Sequence, residues 1–303
     1  MTYHKPVLLN ESINGLNIKP DGVYVDVTFG GGGHSKEILK YLKSGKLYAF
    51  DQDSDAIRNN FVDSRFKLMK ANFRYLKNFL KIEGVTQIDG LLADLGVSSH
   101  QFDIPDRGFS LRFDSELDMR MNINSSVNAF SVINNYSEEE LANVFYNYGE
   151  IHQSRKVASK IIKRRIKEPI TTTTDLIEII KDLFPFKKRQ QFLARIFQAI
   201  RIEVNDEINA LKEMLTAATQ LLKPEARLVV ISYHSLEDRL VKNLIKKGNF
   251  NGIEEKDFFG NKFKLFNQIK RGVIVPDKDE CGLNSRASSA KMRIAEKVLD
   301  EKK

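Results

Sequence analysis

An acidic side chain and a run of glycines could together bind a nucleotide-type cofactor. Phe29 and the glycines, residues 30–33, follow an apolar stretch at residues 23–28, and Asp51 closes a second apolar stretch at residues 47–50. Glycines let the backbone approach a ligand closely, and an acid about 20 residues further on can accept hydrogen bonds from ribose hydroxyls. The two features therefore predict a site for a cofactor that carries a ribose.

The spacing of the glycines separates the cofactor classes. A dinucleotide site needs G-x-G-x-x-G, but serine or lysine stands at the third glycine position in both possible registers. A phosphate-binding G-x-x-x-x-G-K-[ST] loop does not fit either. The order acid-x-small-x-Gly-x-Gly does fit, as Asp26, Thr28, Gly30 and Gly32, and it is similar to the first motif of S-adenosylmethionine (SAM) methyltransferases. A merely flexible glycine loop is the alternative.

The surrounding pattern predicts a parallel α/β sheet that positions these residues. Apolar runs alternate with helical patterns, and the predicted strands are residues 23–28, 47–50, 66–69, 88–94 and 226–232. The carboxyl ends of parallel strands share one edge of the sheet, where ligands bind. Gly33, Asp51, Phe73 and Asp94 lie at or just beyond such ends, so we expect them to line one crevice.

Helical patterns define the rest of the organisation. Ser35 is placed to cap the helix after the glycines, and residues 198–222 predict one long helix. From residue 104 to 196 no strand periodicity appears, and from Ser137 onward the patterns are helical. Together with the glycine motif, which resembles that of SAM methyltransferases, these patterns predict a Rossmann-like SAM methyltransferase domain, residues 1–103 and 197–303, interrupted by an inserted all-helical domain, residues 104–196.

Composition predicts a soluble, cytoplasmic protein with an affinity for polyanions. The single cysteine, Cys281, excludes an internal disulfide, and no apolar run reaches the ~20 residues of a membrane span. The net charge of +8 is concentrated in residues 151–200, which hold twelve Lys/Arg and four Asp/Glu. This concentration favours a phosphate-binding face over the alternative of a solvated helical surface.

Asp94 is the candidate catalytic residue. It stands where methyltransferases of nucleobase amines carry Asn/Asp-Pro-Pro-aromatic, whose acid or amide oxygen accepts a hydrogen bond from the target amine. Here the acid is followed by Leu-Gly-Val, without the prolines and the aromatic. Asp94 is therefore predicted to orient the amine, to bind the cofactor, or both.

Metal and hydrolase chemistry fit the sequence less well. The histidines at positions 4, 34, 100, 152 and 234 lack metal-ligand spacing, so we expect no metal site. His234, Ser235 and Asp238 resemble a hydrolytic group, but the G-x-S-x-G elbow is missing. These residues fit better as a helix cap or as the lining of a base pocket.

Seven separated motifs cover nearly the whole chain: residues 4–11 (HKPVLLNE), 28–35 (TFGGGGHS), 94–101 (DLGVSSHQ), 107–110 (RGFS), 117–121 (LDMRM), 197–201 (FQAIR) and 234–239 (HSLEDR). Together they resemble the bacterial MraW family of SAM-dependent 16S rRNA cytosine-N4 methyltransferases. The resemblance implies a cytidine substrate in the decoding region of the small ribosomal subunit. It also implies cofactor contacts by Gly32, Gly33, His34, Asp51, Phe73, Asp94 and Gln101.

Two positions depart from the family pattern. Tyr233 stands where phenylalanine is more usual, and Ser288 stands where arginine is usual in the C-terminal motif, which affects one phosphate or intradomain contact.

For the RNA, stacking candidates are Phe109, Phe113 and Tyr233, each alternatively a core residue, and His234 is a candidate for the base pocket. Backbone contacts are predicted for Arg155, Lys156, Lys160, Lys163, Arg164 and Arg165. The rival hypotheses are a DNA amino-methyltransferase and a ribosome-assembly factor that only binds SAM.

Overall fold

A mostly parallel sheet forms the centre of one unit of the chain. The computed structural model of the protein describes residues 6–256, 258, 260 and 264–298. Within these residues the strands are β1 (Val23–Asp26), β2 (Lys46–Asp51), β3 (Phe66–Lys70), β4 (Ile88–Asp94), β5 (Leu222–Ser232), β6 (Phe266–Gln268) and β7 (Lys291–Lys297). They lie in the order β3-β2-β1-β4-β5-β7-β6. Strands β1 to β5 are parallel, and β7 is antiparallel to both β5 and β6. The predicted α/β class is confirmed.

Helices precede, follow and separate the strands along the chain. In the part of the chain that the structure describes they are α1 (Leu9–Leu16), α2 (Gly33–Tyr41), α3 (Ser54–Ile57), α4 (Leu76–Ile82), α5 (Ser99–Asp103), α6 (Ala129–Asn135), α7 (Glu138–Asn147), α8 (Ser154–Arg165), α9 (Thr173–Ile180), α10 (Arg189–Asn205), α11 (Glu207–Leu221), α12 (Ser235–Lys247) and α13 (Lys278–Leu283). None of these helices combines the length and the apolar character that crossing a membrane requires.

The central strands have apolar stretches, residues 91–93 of β4 and 228–231 of β5, because helices cover both faces of the sheet. Successive side chains of a strand point to opposite faces. Leu91 of β4 accordingly joins a core cluster with α4, α11 and α12, whereas its neighbour Leu92 joins a second cluster with α1 and α2. The strand order reverses between β1 and β4, and ligands bind at such a switch point in doubly wound sheets. The fold therefore places the ends of β1, β2 and β4 where a ligand is expected.

One predicted helix is two helices in the structure. The pattern of residues 198–222 predicts a single helix, but α10 ends at Asn205 and α11 begins at Glu207. Asp206 between them has a φ of 48°, in the left-handed region that ends a helix. Aspartate is one of the few residues that adopt this conformation readily, so the break lacks the glycine or proline that would mark it in a sequence.

A second unit, residues 97–207, contains α5 to α10 and has its own hydrophobic core. The remaining residues, 1–96 and 208–303, form the first unit. The helical unit thus extends beyond the predicted limits of 104 and 196. Its core explains the later boundary, since the apolar stripe of α10 continues into it through Phe197, Ile200 and Val204.

Candidate cofactor and substrate site

The glycine turn after β1 needs glycine for two different reasons. Gly30 and Gly32 have φ values of 52° and 76°, in a region that L side chains rarely adopt. Gly32 is the N-cap of α2, which begins at Gly33. A Cβ atom on Gly33 would lie 2.2 Å from Cγ of Pro6, so close packing excludes a side chain there. Backbone conformation and packing therefore both require glycine, without a side chain, in this turn.

Asp26, the first acid of the motif, is fully buried and holds the turn. Its Oδ2 accepts a hydrogen bond from the Ser35 hydroxyl at 2.7 Å, and its Oδ1 accepts one from the Thr28 N–H at 3.1 Å. The prediction that Ser35 caps α2 is wrong, because the helix begins two residues earlier and the serine hydroxyl is turned inward. Asp26 thus supports the turn from within the core.

Asp51 is bound to the glycine turn by its carboxylate. Oδ2 accepts a hydrogen bond from the Gly30 N–H and Oδ1 accepts one from the Asp53 N–H, both at 2.9 Å. Burial raises the pKa of Asp51 to about 6, although both hydrogen bonds act to lower it. A Cβ atom built on Gly30 would meet nothing within 4 Å, so the backbone beside this carboxylate is open. Each carboxylate oxygen keeps a lone pair for a further donor.

Asp94 lies at the end of β4 and contacts residues from three other segments. The Tyr233 hydroxyl donates a hydrogen bond to Oδ1 at 2.8 Å, and His34 Nδ1 lies 3.9 Å from Oδ2. The backbone N–H of Asp94 donates to the Thr28 hydroxyl at 2.7 Å. Burial raises the pKa of Asp94 to about 6, opposed by His34 and Tyr233 and reinforced by nearby acidic groups. Its carboxyl group can therefore exist in both protonation states near neutral pH.

His34 is buried, and one contact assigns its tautomer. Nε2 lies 3.1 Å from the backbone carbonyl oxygen of Val7, which can only accept a hydrogen bond. We therefore place a proton on Nε2. Nδ1, which faces Asp94, is then an acceptor in the neutral ring and a donor in the cation. At 3.9 Å from Asp94 Oδ2, Nδ1 is too far for a hydrogen bond, so the two side chains interact electrostatically.

The structure gathers five of the seven predicted cofactor residues at the ends of β1, β2 and β4: Gly32, Gly33, His34, Asp51 and Asp94. Phe73 follows β3 and packs, half-buried, against the sheet core. Gln101 belongs to the helical unit, where its side-chain oxygen accepts a hydrogen bond from the Ser98 N–H and completes the capping box of α5. The roles of these residues toward a cofactor stay predictions.

The predicted RNA-binding cations of α8 fall into two groups. Arg155, Lys156, Lys160 and Lys163 have no charged or hydrogen-bonding partner among the described residues, and Lys156, Lys160 and Lys163 recur on one helix face. Arg164, in contrast, pairs with Glu168 at 2.8 Å. Arg165 is committed to the fold, since its guanidinium donates to the carbonyl oxygens of Ile133 and Tyr136. The structure therefore argues against an RNA contact for Arg165.

A groove of about 590 Å³ lies beside this cationic face. Its lining combines five charged groups with two apolar side chains: Lys160, Lys163, Arg164, Ile166, Lys167, Glu178 and Ile179. Four of the charges are positive and one is negative. The groove therefore suits an anionic ligand such as a phosphate backbone.

Among the predicted base-contacting residues, Tyr233 contacts Asp94, whereas Phe109 is buried in the helical unit. Phe109 is only 5% exposed and packs in the core of the helical unit, so the structure corrects its prediction as a stacking residue in favour of the core alternative. Tyr233 follows β5 and contacts Asp94 through its hydroxyl. Neither ring nitrogen of the neighbouring His234 makes a hydrogen bond to a described residue, although Nε2 lies 3.2 Å from Glu237 Oε1. No sequence pattern indicated the contact between Tyr233 and Asp94.

Known relatives match this chain over nearly its whole length. Residues 1–298 match the MraW methylase family; of these, His4 and Lys5 of the first motif lie outside the described residues. The ribosomal RNA small subunit methyltransferase H of Flavobacterium johnsoniae is 56% identical over 98% of this chain and 99% of its own. Its counterpart in Bacteroides thetaiotaomicron is 57% identical over 98% of both chains. A solved rRNA methylase from Streptococcus thermophilus covers 95% of both chains, with a TM-score of 0.44 and 11% identity.

Proposed function

Because this chain belongs to the MraW methylase family, we propose that it transfers a methyl group from SAM to N4 of one cytidine in the decoding region of 16S rRNA. The observation that carries this proposal is the similarity over nearly the whole chain to relatives named as small-subunit rRNA methyltransferases. It places the protein among SAM-dependent rRNA methyltransferases. The choice of N4 depends on the acid at the end of β4.

The residues at the sheet edge fit SAM in their chemistry. The Asp51 carboxylate can accept hydrogen bonds from the two ribose hydroxyls, and the bare backbone at Gly30 leaves room beside it. The ring of Phe73 is proposed to pack on the adenine, and Gln101 to complete the cofactor contacts. When bound, SAM supplies an activated methyl group together with its leaving group. The protein then has to align the acceptor, and alignment alone can contribute about 7–11 kcal/mol.

Asp94 has the properties required to activate the amine of cytosine. The lone pair of this amine is conjugated with the ring, so the amine is a weak nucleophile. A carboxylate that accepts a hydrogen bond from its N–H favours rehybridisation and directs the lone pair toward the methyl group. The same carboxylate can take the proton that the amine must lose, because burial has raised the pKa of Asp94 to about 6. Tyr233 fixes its orientation through the bond to Oδ1.

The base must leave its stack to reach such a site, which favours single-stranded or distorted RNA. We propose that the unpaired cations of α8 and the adjoining groove bind the RNA backbone, and that Tyr233 and His234 contact the base. The substrate is proposed to be rRNA within the small ribosomal subunit, in the cytoplasm. No metal ion is required by the proposed reaction.

Incubation of the protein with small subunits and methyl-labelled SAM tests the proposal. We expect label in 16S rRNA and N4-methylcytidine as the modified nucleoside in mass spectrometry. Binding of SAM without transfer would favour the assembly-factor hypothesis, and transfer to DNA would favour the DNA methyltransferase. C5-methylcytidine or a ribose-methylated nucleoside would contradict the assignment of N4.

Substitution of Asp94 tests the residue assignment. Asp94→Ala should lower turnover by about 100-fold or more, which is typical for removal of a group that transfers a proton. Asp21→Ala is the matched control, since Asp21 is an exposed acid in the turn before β1 of the same unit. Methylation by Asp94→Ala at the rate of the control would remove this residue from the chemistry.

A further inference from the structure

A short turn before α10 presents one aromatic ring to solvent among positive charges. Phe186 begins the 3₁₀ turn Phe186–Lys188 and is 84% exposed. Lys187 and Lys188 follow it, both exposed, and Arg189 begins α10. Residues 181–195 contain five Lys/Arg and one acidic residue. This segment, residues 186–189, is hereafter called the aromatic-basic turn.

Contacts of the neighbouring residues fix the exposed position of the Phe186 ring. Phe184, two residues earlier, is buried and stacks on Phe192 with 4.6 Å between ring centroids and 13° between planes. The Lys188 N–H donates a hydrogen bond to the carbonyl oxygen of Pro185 at 2.9 Å. The backbone on both sides of Phe186 is thus fixed, so the exposed position of its ring is a property of the fold.

The surroundings of the ring favour nucleic acid over a protein or lipid partner. The guanidinium carbon of Arg189 lies 5.5 Å from the ring centroid of Phe186, which leaves most of the ring surface uncovered. One ring among cations is a small apolar area, whereas protein and membrane contacts use larger apolar patches. Unpaired bases stack on exposed aromatic rings while adjacent cations bind the phosphates.

We propose that the aromatic-basic turn binds a single-stranded segment of the substrate RNA outside the methylated nucleotide. The ring of Phe186 stacks on one unpaired base, and Lys187 and Lys188 bind the flanking phosphates. The identity of the RNA rests on the function proposed above, whereas the stacking itself is a binding property of the helical unit. It adds a contact that the cations of α8 do not provide, because they bind phosphate without a base.

Binding of a fluorescein-labelled single-stranded RNA from the decoding region tests the stacking contact. Phe186→Ala should weaken binding by about 5- to 100-fold, as loss of one stacked base does. Phe186→Tyr keeps the ring and should bind like the wild type. Tyr146→Ala is the matched control, since Tyr146 is a 58% exposed aromatic on α7 of the same unit. Wild-type affinity for Phe186→Ala would overturn the proposal.

Two further measurements separate this proposal from the proposed function. Lys187→Ala with Lys188→Ala should reduce the slope of log affinity against log salt by about 1.4, or roughly 0.7 per phosphate of single-stranded RNA. The affinity of Phe186→Ala for SAM should equal that of the wild type in calorimetry. If Phe186→Ala loses RNA affinity but the wild type methylates no substrate, the proposed function is refuted and the stacking contact stands. Full methylation with no change of RNA affinity in Phe186→Ala would refute the stacking alone.

Discussion

Tyr233 donates a hydrogen bond to Asp94 across the ends of two neighbouring parallel strands, although the residues lie 139 positions apart in the chain. The bond depends on the phenolic hydroxyl, which a phenylalanine at this position would not supply. It occupies one lone pair of Oδ1 and stabilises the charged form of the acid. The activity of this chain should therefore depend on pH in a way that residue 233 controls.

Tyr233→Phe should move the acidic limb of the pH profile to higher pH. Removal of the donor destabilises the carboxylate, so the pKa of Asp94 rises above its present value of about 6. We expect reduced kcat/KM near neutral pH and recovery toward the wild-type value in more alkaline buffer. Methylation rates of both proteins across pH 5 to 9 provide the measurement. Coincident profiles would show that the hydroxyl has no influence on the acid.

Asp51→Ala should abolish SAM binding in calorimetry. The carboxylate is the proposed acceptor for two ribose hydroxyls, and hydrogen bonds to charged groups contribute about 1.5–3 kcal/mol each. The affinity of the wild type should also decline as the pH falls through about 6, where Asp51 becomes protonated and loses acceptor capacity. Asp21→Ala should bind normally at each pH. Unchanged SAM affinity of the Asp51 variant would defeat its assignment.

Asp94→Asn should stabilise the fold at alkaline pH. A carboxyl group whose pKa is raised from 3.8 to about 6 binds protons better in the folded state, so its burial costs stability as the pH rises from about 4 to 6. A shift of two units corresponds to about 3 kcal/mol. The free energy of unfolding of the variant should thus exceed that of the wild type above pH 7, with the difference shrinking toward pH 4. Urea titrations at both pH values measure it, and a difference independent of pH would contradict this origin.

Gly33→Ala should destabilise the protein more than an alanine substitution at a glycine without close neighbours. The new Cβ would lie 2.2 Å from Cγ of Pro6, and overpacking of this kind typically costs about 1–3 kcal/mol. Gly282→Ala, in α13, meets nothing within 4 Å and serves as the control. Thermal unfolding and SAM titration compare the two. Equal behaviour of both variants would show that Pro6 moves aside without cost.

Substitutions on α8 should separate RNA binding from folding. Replacement of Lys156, Lys160 and Lys163 by alanine should weaken RNA binding, most strongly at low salt, and leave the melting temperature near that of the wild type. Arg165→Ala should instead lower the melting temperature, because two backbone carbonyl groups lose their donor. The reverse pattern would contradict the division of these cations into two groups.

Local sequence patterns predicted the strands and the acidic residues at their ends. Apolar runs ending in Asp51 and Asp94 identified two strands and two acids of the candidate site, because buried parallel strands consist mainly of apolar residues. Contacts between residues distant in the chain left no comparable pattern in the sequence. The inward turn of Ser35 toward Asp26 and the burial of Phe109 both depend on partners that the linear sequence does not place beside them.

The C-terminal part shows the same limit. Residues 286–299 have a regular pattern that does not distinguish helix from strand, and β7 forms there and pairs with β5 and β6. Pairing with strands already in place supplies the order that the local sequence lacks, because strand formation is highly dependent on context. The helix break at Asp206 could not be predicted either, since this residue adopts a left-handed conformation and no glycine marks the position in the sequence.

The position of β7 has a consequence for synthesis of the chain on the ribosome. This strand is made after β6 but lies between β5 and β6 in the sheet. A nascent chain that ends before residue 291 would therefore expose the edge of β5 and leave β6 without its partner, and unpaired edges readily recruit strands from other molecules. A frameshift late in the gene should consequently yield an aggregating product, with every residue of the sheet-edge site already translated.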